Sequence, residues 1–145
     1  MIIDSHVKFV EKMFKLAPRI RDAVLDERAQ RIAKHHACDP TGERVVAKHM
    51  PIKRVRVSTE RGGLVIENPE DWMEVFSEIY IAYSNHPIAA MARSRLEDNK
   101  SPAAIAELMG VSRECYYGWY REFLRDAVFV ASSKGLLKEM QKSKM

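Results

Sequence analysis

The chain has 145 residues, of which 46% are hydrophobic and 30% charged, and its net charge is +4. This length predicts one domain, or one with an appendage, and the apolar content suffices for a hydrophobic core. The sequence contains no run of about 18 apolar residues and no signal-peptide pattern, which argues against a membrane protein. The two cysteines do not make a disulfide framework, so we expect a cytoplasmic protein.

Charge is spread unevenly along the chain. Residues 1–61 carry a net charge of +6, residues 62–100 carry −4, and residues 101–145 carry +2. Basic surface favours the phosphate backbone of nucleic acid. A solvated helical surface is the alternative explanation for the N-terminal excess.

The first part of the chain predicts two amphipathic helices, over residues 5–16 and 19–37, with Pro18 breaking or restarting the helix between them. The polar face of the second helix mixes both charges. Its basic residues are Arg19, Arg21, Arg28, Arg31 and Lys34. Such mixing is typical of solvated pairs four residues apart rather than of a binding face.

Residues 38–50 have the composition of a loop, and a short strand is expected over residues 52–58. Gly62 and Gly63 predict the turn that leads into a second strand. The result is a small β-hairpin whose outer face carries Lys53, Arg54, Arg56 and Arg61. Two interpretations of this hairpin are open: it contacts nucleic acid as a wing, or it is a surface ribbon without a ligand.

Asn68 and Pro69, followed by two acidic residues, predict a helix start, and the helix extends to about Tyr83. Its expected core face consists of Trp72, Val75, Phe76, Ile79 and Tyr80. A connector and another helix, from Ile88 to about Glu97, follow.

Residues 101–127 have the pattern of two helices joined by a tight turn. Ser101 is a suitable N-cap with Pro102 at the first helical position, Gly110 suits the end of the first helix, and Ser112 suits the start of the second. The apolar positions are Ile105, Ala106, Met109, Val111, Tyr116, Trp119, Phe123 and Leu124. This spacing predicts a DNA-binding helix-turn-helix, in which the two helices cross closely at Ala106. An ordinary helical hairpin is the alternative.

The second helix of this pair leaves a polar face away from the apolar positions. In a helix-turn-helix that face enters the major groove. The candidate DNA-binding residues are Arg113, Glu114, Tyr117, Gly118 and Arg121 near base edges, Ser112 at a phosphate, and Lys53, Arg54 and Arg56 on the hairpin.

Residues 87–137 resemble the C-terminal part of prophage late-gene transcription regulators of the ArpU and RinA type and of some Q-type antiterminators. The residues that carry the resemblance are Ile105, Ala106, Gly110, Val111, Ser112, Tyr116 and Tyr117. The resemblance implies a sigma region-4-like helix-turn-helix and a late-gene activator or antiterminator acting with bacterial RNA polymerase. Residues 1–86 resemble no family, and they lack the Cys-x-x-Cys pairs of the zinc-bearing antiterminators.

The fold expected from these patterns is mainly α with a small β-hairpin and a C-terminal helix-turn-helix domain. We place an accessory part at residues 1–67, a helical domain at 68–133 and a basic tail at 134–145. The expected function is sequence-specific binding of double-stranded DNA in transcription regulation, with a homodimer as one assembly. A DNA-packaging subunit of the small-terminase type is the alternative, and it predicts a ring of many subunits that light scattering would detect.

The sequence shows no P-loop, dinucleotide fingerprint or nucleophile elbow, so we expect neither an enzyme nor a cofactor. A zinc set can be drawn from His35, His36, Cys38 and His49, but its spacing fits no finger and we expect no metal. Glu70, Asp71 and Glu74 could hold a metal for nuclease chemistry, which makes a metal-dependent DNA enzyme a third alternative, but their position at a helix start explains them more simply.

Overall fold

The computed structural model describes residues 4–36 and 50–137. Over these residues the protein is mainly helical, with six α-helices and a small two-stranded antiparallel sheet. The helices are α1 (Asp4–Lys15), α2 (Ala17–His36), α3 (Pro69–Ala82), α4 (Ile88–Leu96), α5 (Pro102–Met109) and α6 (Arg113–Ser133), and the strands are β1 (Arg54–Thr59) and β2 (Gly62–Glu67). None of the described helices combines the length and the apolar character that a membrane crossing requires.

The chain divides into two compact units. The helical unit comprises Met1–Ala17 and Glu74–Met145, and the hairpin unit comprises Pro18–Met73. This division groups α1 with the C-terminal helices, whereas the boundaries drawn from the sequence keep residues 1–67 together. The division reflects packing, because α1 lies against α6 and α4.

An aromatic cluster forms the centre of the helical unit. The ring of Phe14 on α1 meets Phe76 edge-on at 4.7 Å between centroids, Tyr80 at 5.8 Å and Phe123 at 5.7 Å. All four side chains are buried. Edge-on aromatic pairs add about 0.5–1.5 kcal/mol beyond the area they bury. The predicted core face of α3 is therefore confirmed, and α1 belongs to the same core.

The predicted hairpin is confirmed, but its turn is not at Gly62 and Gly63. The turn consists of Glu60 and Arg61, and Gly62 and Gly63 begin β2. Gly62 has φ +113°, which a residue with a Cβ rarely adopts. The Thr59 hydroxyl donates a hydrogen bond to the Gly62 carbonyl oxygen at 2.6 Å, closing the turn. Glycine therefore provides the conformation beside the turn rather than the turn itself.

Strand β1 alternates buried apolar residues with exposed basic ones. The register pairs Arg54 with Glu67 and Val57 with Leu64. Val55 and Val57 are buried, whereas Arg54 and Arg56 are exposed, as the two-residue period of a strand requires. Arg54 and Arg56 thus lie on the predicted basic outer face, whereas Lys53 precedes β1 and Arg61 lies in the turn.

The arginines of α2 differ from the prediction of local pairing. Arg31 does pair with Glu27, with 3.3 Å between Nε and Oε1, in the expected i,i+4 arrangement. Arg19 instead donates to the Ser58 carbonyl oxygen of β1 at 2.8 Å, and Arg28 binds Glu70. These two contacts span 39 and 42 residues, a distance at which helical spacing gives no information.

The other predicted helices are found with shifts of one or two residues at their ends. Pro18 is the second residue of α2, after a one-residue turn at Leu16, so the helix restarts there. Asn68, the predicted cap of α3, has φ +51° and its backbone N–H donates to the Lys53 carbonyl oxygen at 2.8 Å. The predicted loop over residues 38–50 lies outside the described residues except for Met50, and so does the tail beyond Leu137.

Candidate nucleic-acid interface

Local hydrogen bonds cap the start of α5, the end of α5 and the start of α6. The Ser101 hydroxyl accepts from the Ala104 N–H at 3.2 Å, and the Ser112 hydroxyl accepts from the Cys115 N–H at 3.1 Å. Gly110 lies between them with φ +70° and ψ +29°, in the left-handed region. Its N–H donates to the last turn of α5, which ends the helix. Both predicted caps and the predicted glycine are confirmed.

The inner face of α6 is fixed by tyrosines and by Phe123. Tyr116 is only 1% exposed and stacks on Tyr120 with 5.6 Å between centroids. The Tyr120 hydroxyl donates to the Glu11 carboxylate of α1 at 2.7 Å. Burial and the hydrogen bond to Glu11 both raise the pKa of Tyr120, so the hydroxyl remains protonated as the donor. These contacts fix the rotation of α6 about its axis, and therefore the residues that it exposes.

The outer face of α6 carries the candidate base-reading residues. Arg113, Glu114, Tyr117 and Arg121 are exposed, whereas Gly118 is half-buried. Within residues 4–36 and 50–137, neither arginine forms an ion pair. Both guanidinium groups are therefore available to an external acceptor.

Three apolar positions of the predicted pattern are less buried than expected: Met109 is exposed, and Val111 and Trp119 are half-buried. Met109, at the end of α5, is 39% exposed. Trp119 is half-buried and meets the edge of His86 with 4.7 Å between ring centroids. Ile105, Ala106, Tyr116, Phe123 and Leu124 are buried as predicted. The exposure of Met109 follows from its position in the last turn, beside the left-handed glycine.

The second group of candidate residues lies in the hairpin unit. Lys53, Arg54 and Arg56 are all exposed. Arg54 lies 3.6 Å from the Glu67 carboxylate across the hairpin. The Arg56 side chain crosses Gly63, where an added Cβ would lie 2.5 Å from its Nε, so a larger residue at position 63 would displace the guanidinium. The candidate residues thus form two groups, one in each unit.

Glu70 has a structural partner that the sequence did not reveal. Its carboxylate accepts two hydrogen bonds from Arg28, at 2.8 and 2.9 Å, and a third from the Ile52 N–H at 2.7 Å. Burial raises the pKa of this carboxyl group. The hydrogen bonds and the charges of Arg28 and Arg31 lower the pKa by more than burial raises it, so it lies below its usual 4.5. Arg28 and Glu70 are 42 residues apart, and no short motif links them.

The described residues contain no group of three or more His, Cys, Asp or Glu side chains placed to hold a metal ion. Of the zinc set considered from the sequence, Cys38 and His49 lie outside the described residues, as do the side chains of His35 and His36.

Comparison of the chain with protein-family models, with curated proteins and with solved structures found no match.

Proposed function

We propose that the helical unit binds double-stranded DNA through α5 and α6 acting as a helix-turn-helix, and that the protein is a sequence-specific transcription regulator. The observation that carries the proposal is the exposed face of α6. That helix begins directly after a capped tight turn, buries Tyr116 and Phe123, and exposes Arg113, Tyr117 and Arg121. A recognition helix needs this combination of a fixed inner face and free polar side chains in its first turns.

The exposed side chains have the chemistry of base recognition. An arginine donates two parallel hydrogen bonds to the O6 and N7 atoms of guanine, and a glutamate accepts from the amino group of cytosine. Arg113, Arg121 and Glu114 supply these groups. The Arg113 and Glu114 amides in the first turn of α6 lack helical partners and favour a phosphate, whereas the Cys115 amide donates to the Ser112 hydroxyl of the cap.

The hairpin supplies a contact of another kind. Arg54 and Arg56 lie on the exposed face of β1, and Lys53, directly before the strand, is exposed as well. Such a surface binds phosphates without reading sequence. In this proposal it raises affinity for all duplexes alike.

The proposed role in transcription regulation rests on the resemblance of residues 87–137 to prophage late-gene regulators. On that basis the partner is bacterial RNA polymerase, and the protein acts as an activator or antiterminator of phage or prophage genes.

The test begins by selecting bound sequences from a random duplex library, followed by gel-shift titration. Arg113→Ala and Arg121→Ala should each lose about 1–3 kcal/mol of binding free energy for the selected site, the value of one good base contact. Lys8→Ala is the control, since Lys8 is an exposed cation on α1 of the same unit. Failure to select any sequence, or unchanged affinity of both arginine variants, would contradict the proposal.

A further inference from the structure

A cleft of about 710 Å³ lies in the hairpin unit between the C-terminal half of α2 and the chain that enters β1. Helix α2 lines it over residues 27–34, and the entering chain lines it over residues 50–54. This volume is within the range of about 300–1,000 Å³ that small-molecule sites have in proteins.

The two walls of the cleft are held together by exposed and half-buried polar contacts. Arg28 and Arg31 each donate to the Met50 carbonyl oxygen, at 2.9 and 2.8 Å. Arg28 also binds Glu70, which accepts from the Ile52 N–H at 2.7 Å. These bonds fix the chain from Met50 to Ile52 against α2. The cleft is therefore formed before any ligand enters.

The lining is strongly basic. Four cations, Arg31, Lys34, Lys53 and Arg54, face one carboxylate, Glu27, which is paired with Arg31. Across the described parts of the chain, the ammonium groups of Lys34 and Lys53 have no ion-pair partner. The lining residues thus carry a net charge of +3, and Arg54 also lies 3.6 Å from the Glu67 carboxylate outside the lining.

The remaining lining is apolar or amide. Met50 and Pro51 form an apolar surface beside the cations, and Gln30 adds one donor and one acceptor. A ligand that fits has several negative charges at one end and an organic group at the other.

We propose that this cleft binds a phosphate-bearing ligand, with its phosphates at Lys34, Lys53 and Arg54 and its organic part against Met50 and Pro51. Lysine and arginine are the side chains that bind phosphate oxygens most strongly. Such phosphates come either from a soluble nucleotide or from a nucleic-acid backbone. The inference does not rest on the proposed helix-turn-helix, because every lining residue belongs to the hairpin unit. The two proposals share Lys53 and Arg54, so Lys34 is the residue that separates them.

The experiment is calorimetric titration of the full chain at low salt with three probes: inorganic pyrophosphate, adenosine diphosphate and a short DNA duplex of random sequence. Lys34→Gln removes one cation from the cleft. Arg21→Gln is the matched control, because Arg21 is an exposed cation on the same helix outside the cleft. Circular dichroism establishes that both variants fold.

Pyrophosphate and adenosine diphosphate should bind with one site per chain, and Lys34→Gln should weaken both about tenfold, the effect of losing one charge-assisted hydrogen bond. Arg21→Gln should leave both unchanged. If Lys34→Gln also weakens binding of the duplex, the phosphates that occupy the cleft are those of DNA. If duplex affinity is unchanged, the natural ligand of the cleft is a soluble phosphate compound. The proposal is overturned if neither small anion binds, or if Lys34→Gln and Arg21→Gln bind them equally well. Neither of these results bears on Arg113 or Arg121, so the two proposals fail separately.

Discussion

Glu70 joins three parts of the hairpin unit. Its carboxylate connects α3, to which it belongs, with Arg28 of α2 and with the backbone of Ile52. All of these interactions favour the ionised form, and they outweigh burial, which raises its pKa. Because the pKa is lower in the folded than in the unfolded protein, the ionised carboxylate stabilises the fold above about pH 4.5. That stabilisation is lost as the pH falls through the folded-state pKa.

Glu70→Gln should therefore lower the free energy of unfolding at pH 7 by about 1 kcal/mol, a modest value because the pair is partly exposed. Below pH 4.5, the difference between the variant and the native protein should shrink. Urea unfolding at a series of pH values measures both effects. Asp71→Asn is the control, since Asp71 is the neighbouring carboxylate and forms no ion pair within the described residues. A pH-independent difference would contradict the role given to ionised Glu70.

Two glycines near the candidate interface have different backbone conformations, so replacement by alanine should have opposite effects on stability. Gly110 has φ +70°, whereas Gly118 lies inside α6, and an added Cβ meets no atom within 4 Å at either position. Only backbone conformation therefore distinguishes the two sites.

Gly110→Ala should destabilise the protein by about 1–2 kcal/mol, because alanine is strained in the left-handed region. Gly118→Ala should stabilise it by about 0.5–1 kcal/mol, because alanine is the better residue inside a helix. Thermal unfolding of both variants checks the pair. Equal shifts of the same sign would show that the turn does not require the conformation of Gly110.

Helices α5 and α6 depend on a small residue where α5 packs inward. Ala106 is 3% exposed, and its carbonyl oxygen accepts hydrogen bonds from the N–H groups of Gly110 and Val111. Ala104, two residues earlier on the same helix, is exposed. The same substitution at Ala106 and at Ala104 therefore distinguishes the effect of packing on stability from the effect of helix propensity.

Ala106→Leu should cost about 1–3 kcal/mol of stability, because a well-packed site cannot accept three more carbon atoms without strain. Ala104→Leu should change stability little, since both residues favour helix and the site faces solvent. Urea unfolding measures the difference. If the two variants unfold alike, α5 does not pack closely at Ala106 and the helix-turn-helix proposal loses its structural basis.

Over the whole molecule, positive charge is concentrated at residues 1–61 and acidic residues at 62–100. A protein that neutralises about four phosphates releases their counterions, and its DNA affinity then falls with salt with a log–log slope of roughly −3 to −4. The hairpin cations are expected to supply part of that slope.

Replacing Lys53, Arg54 and Arg56 together by Gln should lower affinity for selected and random duplexes by similar factors and make the salt slope shallower. The charge-matched control replaces Lys8, Lys12 and Lys15, which are exposed on α1. Gel-shift titration over a range of salt concentrations gives both slopes. If the hairpin triple variant changes neither affinity nor slope, the hairpin does not contact DNA; if both triple variants change alike, only net charge matters.

Local sequence determined the features that depend on neighbouring residues. The caps at Ser101 and Ser112, the helix end at Gly110 and the alternation along β1 each arise from interactions within a few residues, and all were predictable. The candidate face of α6 was predictable for the same reason, because helical periodicity alone separates Tyr116 from Tyr117.

Tertiary structure decided the features that depend on distant residues. The bond between Tyr120 and Glu11 spans 109 positions and ties α1 to α6, and the contact of Arg28 with Glu70 spans 42. The cleft with Lys34 and Lys53 on opposite walls arises in the same way. Periodicity and capping extend over only a few residues, so they fix which side of a helix is apolar. Which helix or strand covers that side is set by packing and by charge pairing across the folded chain.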